Sequence, residues 1–270
     1  MTGALTQEWS FTADELAALA LRTSGLGSPT VLGLRSRHAT VDVRDAAVSR
    51  AAHTLTQRGV IVDGVVDAEV VTVLHALQRP ARQLVVRLVT PAGPGYSTIV
   101  RRGPLCVTAR RVAERLEVSV LGVDVTLSDA TATLLGEIPR AQAAAIEPVG
   151  APLSDLTDAL SESHDPLVLA DRIRALGVKQ RAAMLLGAAL GSRQAFAEIV
   201  YSALVDGEDL IARVPAAVAV LYTARGRVIA VPSASPSGQP WSTLKSGSDQ
   251  VFGQAISQLV ALSTERWEGG

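Results

Sequence analysis

Residues 83 to 121 contain QLVVRLV, YSTIVRR, LCVTARR and RLEVSVL in succession, four β-rich runs parted only by short Gly/Pro-bearing or charged links. Such links leave no room for a helical crossover, so each strand must turn back against the one before it as an antiparallel meander. The rest of the chain has to pack on that sheet or extend it.

Upstream, the spacing predicts a short apolar strand (Trp9, Phe11) and then a helix from about Ala13 to Arg22. That helix opens on Thr12-Ala-Asp-Glu15, a capping box in which hydroxyl and carboxylate satisfy free amides. GLGSPT (25–30) breaks it. From about Arg44 to Arg58, Ala47, Val48, Ala51 and Leu55 recur at helical spacing, and Gly59 stands where a left-handed cap is needed. VIVDGVV then places two apolar triplets around Asp63-Gly64, a type I′ hairpin signature. Asp67 can cap a third helix with the stripe Val70, Val73, Leu74 and Leu77, ending before Pro80. After the meander, Ser128-Asp129 starts a helix through Gly136, and Ile138-Pro139 closes the segment.

Residues 140 to 152 read as a connection. Three helices are expected beyond it, in PLSDLTDALSE, in DPLVLADRIRALG with Asp165 as cap and Pro166 at the first helical position, and in VKQRAAMLLGAALG. Strands return at QAFAEIVYSAL, AAVAVLYT, RVIAV and WSTLK, and a last helix runs from about Asp249 to Thr264. Both halves thus run helices, a strand meander and one closing helix. An internal duplication is the economical explanation, with pseudo-repeats roughly at 1–139 and 153–270 inside one domain, 1–270.

A chain of 270 residues can bury a sizeable core without disulfides. Its single cysteine, Cys106, has no intramolecular partner, and a reducing, intracellular compartment fits best. Met1 to Ser10 carries no Lys or Arg and includes Glu8, unlike a secretory signal, so the mature protein is expected to begin near Met1. The longest apolar stretch, Ala182 to Gly191, falls well short of the roughly 20 residues of a membrane span. A cytoplasmic protein with no membrane insertion is expected. With 25 basic and 26 acidic residues and 3% aromatics, the chain has neither the field nor the stacking surface of a typical nucleic-acid binder.

Two motifs spell chemistry. Ser242-x-x-Lys245 has the spacing of the nucleophile motif of penicillin-recognising enzymes, and Lys245-Ser246-Gly247 resembles their Lys-Thr/Ser-Gly triplet. In those enzymes the serine opens a helix with its lysine one turn on, whereas Trp241 to Lys245 reads as a strand, on which the two side chains point to opposite faces. One lysine cannot fill both roles, and no Ser-Asp-Asn is present. The acyl-transfer or hydrolytic reading is thus the weaker alternative, with Ser248 read as a helix cap. Gln239 and Leu244 break the phosphate-loop pattern over 238–246, and His38, His53, His75 and His164 show no metal-ligand spacing. No catalytic, metal or cofactor site is therefore expected. Arg101, Arg102, Arg110, Arg111 and Arg115 form the one basic cluster; they suit a nucleic-acid contact, protection of a sheet edge, or a basic rim around an acidic protein partner.

Three stretches in order resemble the EspG family of type VII (ESX) secretion chaperones. They are WSFTADELAAL; AAHTLTQRGVIVDGVVDAEVVTVLHALQRPARQLVVRLV; and GRVIAVPSASPSGQPWSTLKSGSDQVFGQAISQLVAL. The resemblance implies a non-enzymatic α/β protein of quasi-two-fold design, with a central, largely antiparallel sheet flanked by two helical bundles. It also implies that the protein binds the helical tip of a PE–PPE heterodimer, keeps it soluble and delivers it for export. Client contacts are expected around the first meander loop, at Leu88, Tyr96 and Ile99 with charge from Arg87 and Arg101, and at the matching hairpin of the second half, at Tyr222 and Arg225. That first loop, TPAGPG, is short here, whereas in the family it varies and can reach the client.

Overall fold

A computed structural model of the chain describes residues 7–26, 34, 38–205 and 210–268. Most of the stretch Met1 to Ser10 and of the GLGSPT break lies outside them. The fold class is the expected α/β one, its strands in a large, largely antiparallel sheet with helices packed on it. The chain divides into two compact units, one from residues up to Val85 with Tyr96–Val125, the other from Val86–Gly95 with the chain from Thr126 onward.

In the first unit, β1 (Glu8–Thr12) runs into α1 (Ala13–Ala20). The capping box forms as the spacing predicts: the Glu15 amide donates to the Thr12 hydroxyl at 3.2 Å, and the Thr12 amide to the Glu15 carboxylate at 2.7 Å. The second helix, α2 (Val41–Gln57), begins earlier than its apolar stripe suggests because the Thr40 hydroxyl accepts from the Val43 amide. Gly59 follows it at φ +72°. β2 (Ile61–Val62) and β3 (Val65–Val66) pair across Asp63 and Gly64, both at positive φ as a type I′ turn requires. Asp67 caps α3 (Ala68–Gln78) by accepting from the Glu69 and Val70 amides.

The meander follows as β4 (Arg82–Thr90), β5 (Gly93–Arg102), β6 (Leu105–Val112) and β7 (Arg115–Val123). The link read as TPAGPG shrinks to Pro91 and Ala92, because the strands pair to their ends. Strand order is β1-β7-β6-β5-β4. One sheet face, with Phe11, Val100, Val107, Leu116 and Val118, joins Leu16, Leu19, Leu55, Val70 and Leu74 of the helices in one core. Full burial of each such side chain contributes roughly 1.5–3 kcal/mol.

The second unit includes α4 (Leu127–Glu137), which starts one residue before Ser128 because the Thr126 hydroxyl, not Ser128, caps it. The connection at 140–152 is not wholly irregular. Its end forms β8 (Val149–Pro152), a strand that exists because residues 240–246 offer it a ladder with Val149 opposite Leu244. Then come α5 (Leu153–Leu160), α6 (Pro166–Ala175) capped by Asp165, and α7 (Gln180–Leu190). The remaining strands are β9 (Arg193–Leu204), β10 (Ile211–Arg213), β11 (Val218–Thr223), β12 (Gly226–Ala234) and β13 (Pro240–Ser246). The closing helix α8 (Asp249–Ala261) begins at the Ser248 cap, as read from the sequence.

Strand order in this unit is β8-β13-β12-β11-β9, with β10 also on β9. That is the order of the first unit, with β8 followed by α5 as β1 is followed by α1. One face carries Leu221, Val228 and Leu244 into a core with Leu156, Leu169, Ile173, Leu186 and Leu190 of α5, α6 and α7. The opposite face meets α8, which packs against β9, β11 and β12.

Candidate functional site

Pairing in the second unit sets Glu198, Ala219, Ala230, Leu244 and Val149 directly opposite one another on β9, β11, β12, β13 and β8. Residues in register share a sheet face. The two central positions of this row are alanines, where large β-branched or aromatic side chains normally fill a sheet face. The row therefore sinks in the middle, and an apolar cavity of about 570 Å³ lies above it.

Leu153, Leu156, Thr157 and Leu160 of α5 form one wall. Residues 214–217 form another, and the register explains their presence. Arg213 lies opposite Ser202 and Val218 opposite Ile199, so the four residues linking β10 to β11 span two of β9. Pro215 cannot donate to a ladder, while the Val214 amide still donates to the Tyr201 carbonyl at 3.1 Å. Phe196 and Leu221, one step along from the alanine row, continue the floor. The charged lining is Arg193, Glu198 and Arg213, and the last two pair at 3.6 Å. This is an apolar basin with a charged rim.

The same geometry settles the place of Ser242. It is buried on β13 in the floor of this cavity, opposite Pro232 of β12 and Ala151 of β8. Lys245 lies three residues on along the same strand, opposite Ile229. A strand, not a helix start, carries both, and alternation turns them to opposite faces.

Two further cavities lie in the first unit. One, of about 450 Å³, is lined by Trp9, Thr72, Val73, Leu105 and Val120. The other, of about 620 Å³, has His75, Arg79 and Arg102 around it, with Arg102 donating to the Arg79 carbonyl at the end of α3. That bond satisfies a carbonyl that a helix end leaves open.

The arginine cluster is engaged within the protein. Arg101 donates to the Gly103 and Val125 carbonyls and pairs with Asp124 at 3.3 Å. Arg110 pairs with Glu117 at 2.7 Å and Arg111 with Glu114 at 3.3 Å. Arg115 donates to both the hydroxyl and the carbonyl of Ser10 on β1. Edge protection, one of the readings open from sequence, describes Arg115 directly.

The residues expected to meet a client are spread out. Arg87 is exposed and Leu88 half-buried on β4, in the part of it that belongs to the second unit. Tyr96, Ile99 and Arg101 lie on β5 in the first unit, and Ile99 is fully buried. Tyr222 is 8% exposed and adjoins Leu221, so it faces away from the cavity. Burial is the main cause that pushes its phenol up to about 12, against the opposing charge of Arg227. Arg225 is exposed at the β11–β12 turn, its amide donating to the Thr223 hydroxyl. None of the seven lines the cavity. Its small floor residues, Ala219, Ala230 and Ser242, stand on three different strands, β11, β12 and β13, so no single segment of the sequence signals it.

Comparison with known proteins gives four consistent matches. The sequence model of the EspG family matches residues 12–258. The ESX-3 secretion-associated protein EspG3 of Mycolicibacterium smegmatis is 26% identical over 245 residues, covering 88% of this chain and 81% of that protein. The ESX-1 secretion-associated protein EspG1 of Mycobacterium tuberculosis is 24% identical over 255 residues, covering 93% of this chain and 86% of that one. Among solved structures, the Mycobacterium tuberculosis type VII secretion system chaperone EspG5, in complex with a PE25–PPE41 dimer, superposes with a TM-score of 0.79 at 17% identity. That match covers 97% of this chain and 99% of the other.

Proposed function

The chain belongs to the EspG family, and we propose that it is a cytosolic chaperone of a type VII secretion system. In this reading it binds the helical tip of a PE–PPE heterodimer, keeps the pair soluble and delivers it for export. A fold neighbour that holds a PE–PPE dimer supports the partner class.

The observation that carries the reading is the alanine-floored cavity of the second unit. A chaperone for an aggregation-prone tip has to cover apolar side chains that water would otherwise drive together. It needs an apolar centre with a polar rim, and Phe196, Ala219, Leu221 and Ala230 under Arg193, Glu198 and Arg213 supply one. The site acts by burial, without bond chemistry: its one hydroxyl in the floor, on Ser242, has no histidine among the described lining residues to activate it. Arg87, Leu88, Tyr96, Arg101 and Arg225 enter the proposal as secondary contacts, with Ile99 and Tyr222 supporting them from inside the sheet. The shared strand order of the two units supports reading the chain as pseudo-repeats, roughly 1–139 and 153–270, of a single domain.

Co-expression with the PE–PPE pair encoded beside the gene, followed by size exclusion, tests this. The wild-type chain co-elutes with the pair, and Ala219→Arg, which drives a charged side chain into the cavity, loses it while melting as the wild type does. A pair that never co-elutes, or one that binds Ala219→Arg equally well, refutes the reading.

A further inference from the structure

The charges on the cavity rim do not balance. Glu198 and Arg213 pair with each other across β9 and β10, which leaves Arg193 as the lining charge with no ion pair among the described residues. Arg193 opens β9, its backbone opposite Thr223 and its side chain exposed. Arg193 lines the same cavity as the alanine floor, so an occupant that fills the cavity meets this rim. A guanidinium stripped of water without a counter-charge opposes binding, whereas one that meets a carboxylate favours it and speeds encounter.

We propose that the occupant of this cavity is a helical tip that carries an Asp or Glu within one turn of its apolar residues, and that Arg193 is the residue that reads it. The inference rests on the docking role proposed above and adds the chemistry of the partner. A lysine-bearing tip would meet repulsion from Arg193 and would have to displace Arg213 from Glu198, so the rim selects against it.

Labelled helical-hairpin peptides that present two apolar residues at the turn, with Asp, Asn or Lys one turn away, test the proposal by fluorescence anisotropy against the full chain. The Asp peptide is expected to bind roughly fivefold more tightly than the Lys peptide, with a gap that narrows at high salt. Arg193→Ala abolishes the preference, Arg193→Glu reverses it, and Arg193→Lys restores most of it. Equal binding of Asp and Lys peptides, or tighter binding of Lys, overturns the inference and leaves apolar docking intact. If no peptide binds while the PE–PPE pair still co-elutes, the tip docks elsewhere and the inference falls alone. If neither binds, both readings fall. Sedimentation of the chain without peptide covers the remaining case: self-association blocked by Ala219→Arg would make a second copy the occupant and would also overturn the inference.

Discussion

Gly187 of α7 lies so close to Pro166 of α6 that a β-carbon on it would stand 2.6 Å from the Pro166 carbonyl oxygen. Ala170 blocks the same space, with its amide nitrogen at 2.8 Å. Gly191, one turn on, meets Pro166 and His164 in the same way. The backbones of α6 and α7 can approach this closely only because both positions lack side chains.

Gly187→Ala should therefore destabilise the protein even though alanine is the better helix former. The gain of up to about 1 kcal/mol in helix propensity is outweighed by overpacking of roughly 1–3 kcal/mol against backbone that cannot yield. Gly253→Ala in α8, where nothing lies within 4 Å of the added carbon, should stabilise by about 0.5–1 kcal/mol. Denaturant midpoints of the two variants should move in opposite directions.

Arg227 is 2% exposed, yet the Asp249 carboxylate that it pairs with is 72% exposed. Its Nε also donates to the Gly247 carbonyl at 2.6 Å, and its backbone binds Gln142 and Ala144. Asp249→Ala should then behave unlike an ordinary surface change, costing on the order of 2 kcal/mol because it strips a buried cation of its counter-charge. A double-mutant cycle with Arg227→Met should show strong coupling, the second substitution costing less once the first is made.

The hydroxyl of Tyr222 is buried beside the Arg227 guanidinium, with no hydrogen bond of normal geometry among the described residues. Because burial raises its phenol from 10.0 to about 12, the unfolded chain ionises first as pH rises. Its contribution to stability is complete below pH 10 and is lost towards pH 12, with a slope of up to about 1.4 kcal/mol per pH unit. Tyr222→Phe should be neutral or stabilising at pH 7 and should flatten the alkaline loss, which denaturant titrations across that range will read.

Glu15 ties α1 to the end of α2 and to the start of β7. Its side chain is 5% exposed and meets Arg58 at 2.9 Å and Arg115 at 3.7 Å, besides the Thr12 amide. Glu15→Ala should cost about 2–3 kcal/mol by leaving that amide and two guanidinium groups short of an acceptor. Glu15→Gln, which keeps the acceptor and loses the charge, should cost about half as much by thermal or chemical melts.

Local signals were legible in the sequence because they act locally. Thr12 with Glu15, Asp67, Asp165 and Ser248 cap their helices as their spacing predicts, and Asp63-Gly64 turns the small hairpin. β8 was hidden because Val-Gly-Ala-Pro has no strand pattern of its own; it becomes a strand only where β13 pairs with it. β10 was missed for a like reason, its three residues owing their form to β9. Thr126 outcompetes Ser128 as a cap because helix α4 begins at Leu127, which the apolar stripe alone does not reveal. The cavity depends on which residues meet across five strands, and that register is a property of the folded ladder rather than of any one segment.

Ala219 and Ala230 set the depth of the cavity by what they lack. Each is held between neighbouring strands whose hydrogen bonds do not depend on its side chain. A valine or isoleucine at either place would raise the floor and leave the ladder as it is. The backbone is thus a fixed lock body and these two positions its wards: in the proposed docking role, changing a few methyl groups here would refuse one client and admit another while the ladder folds as before.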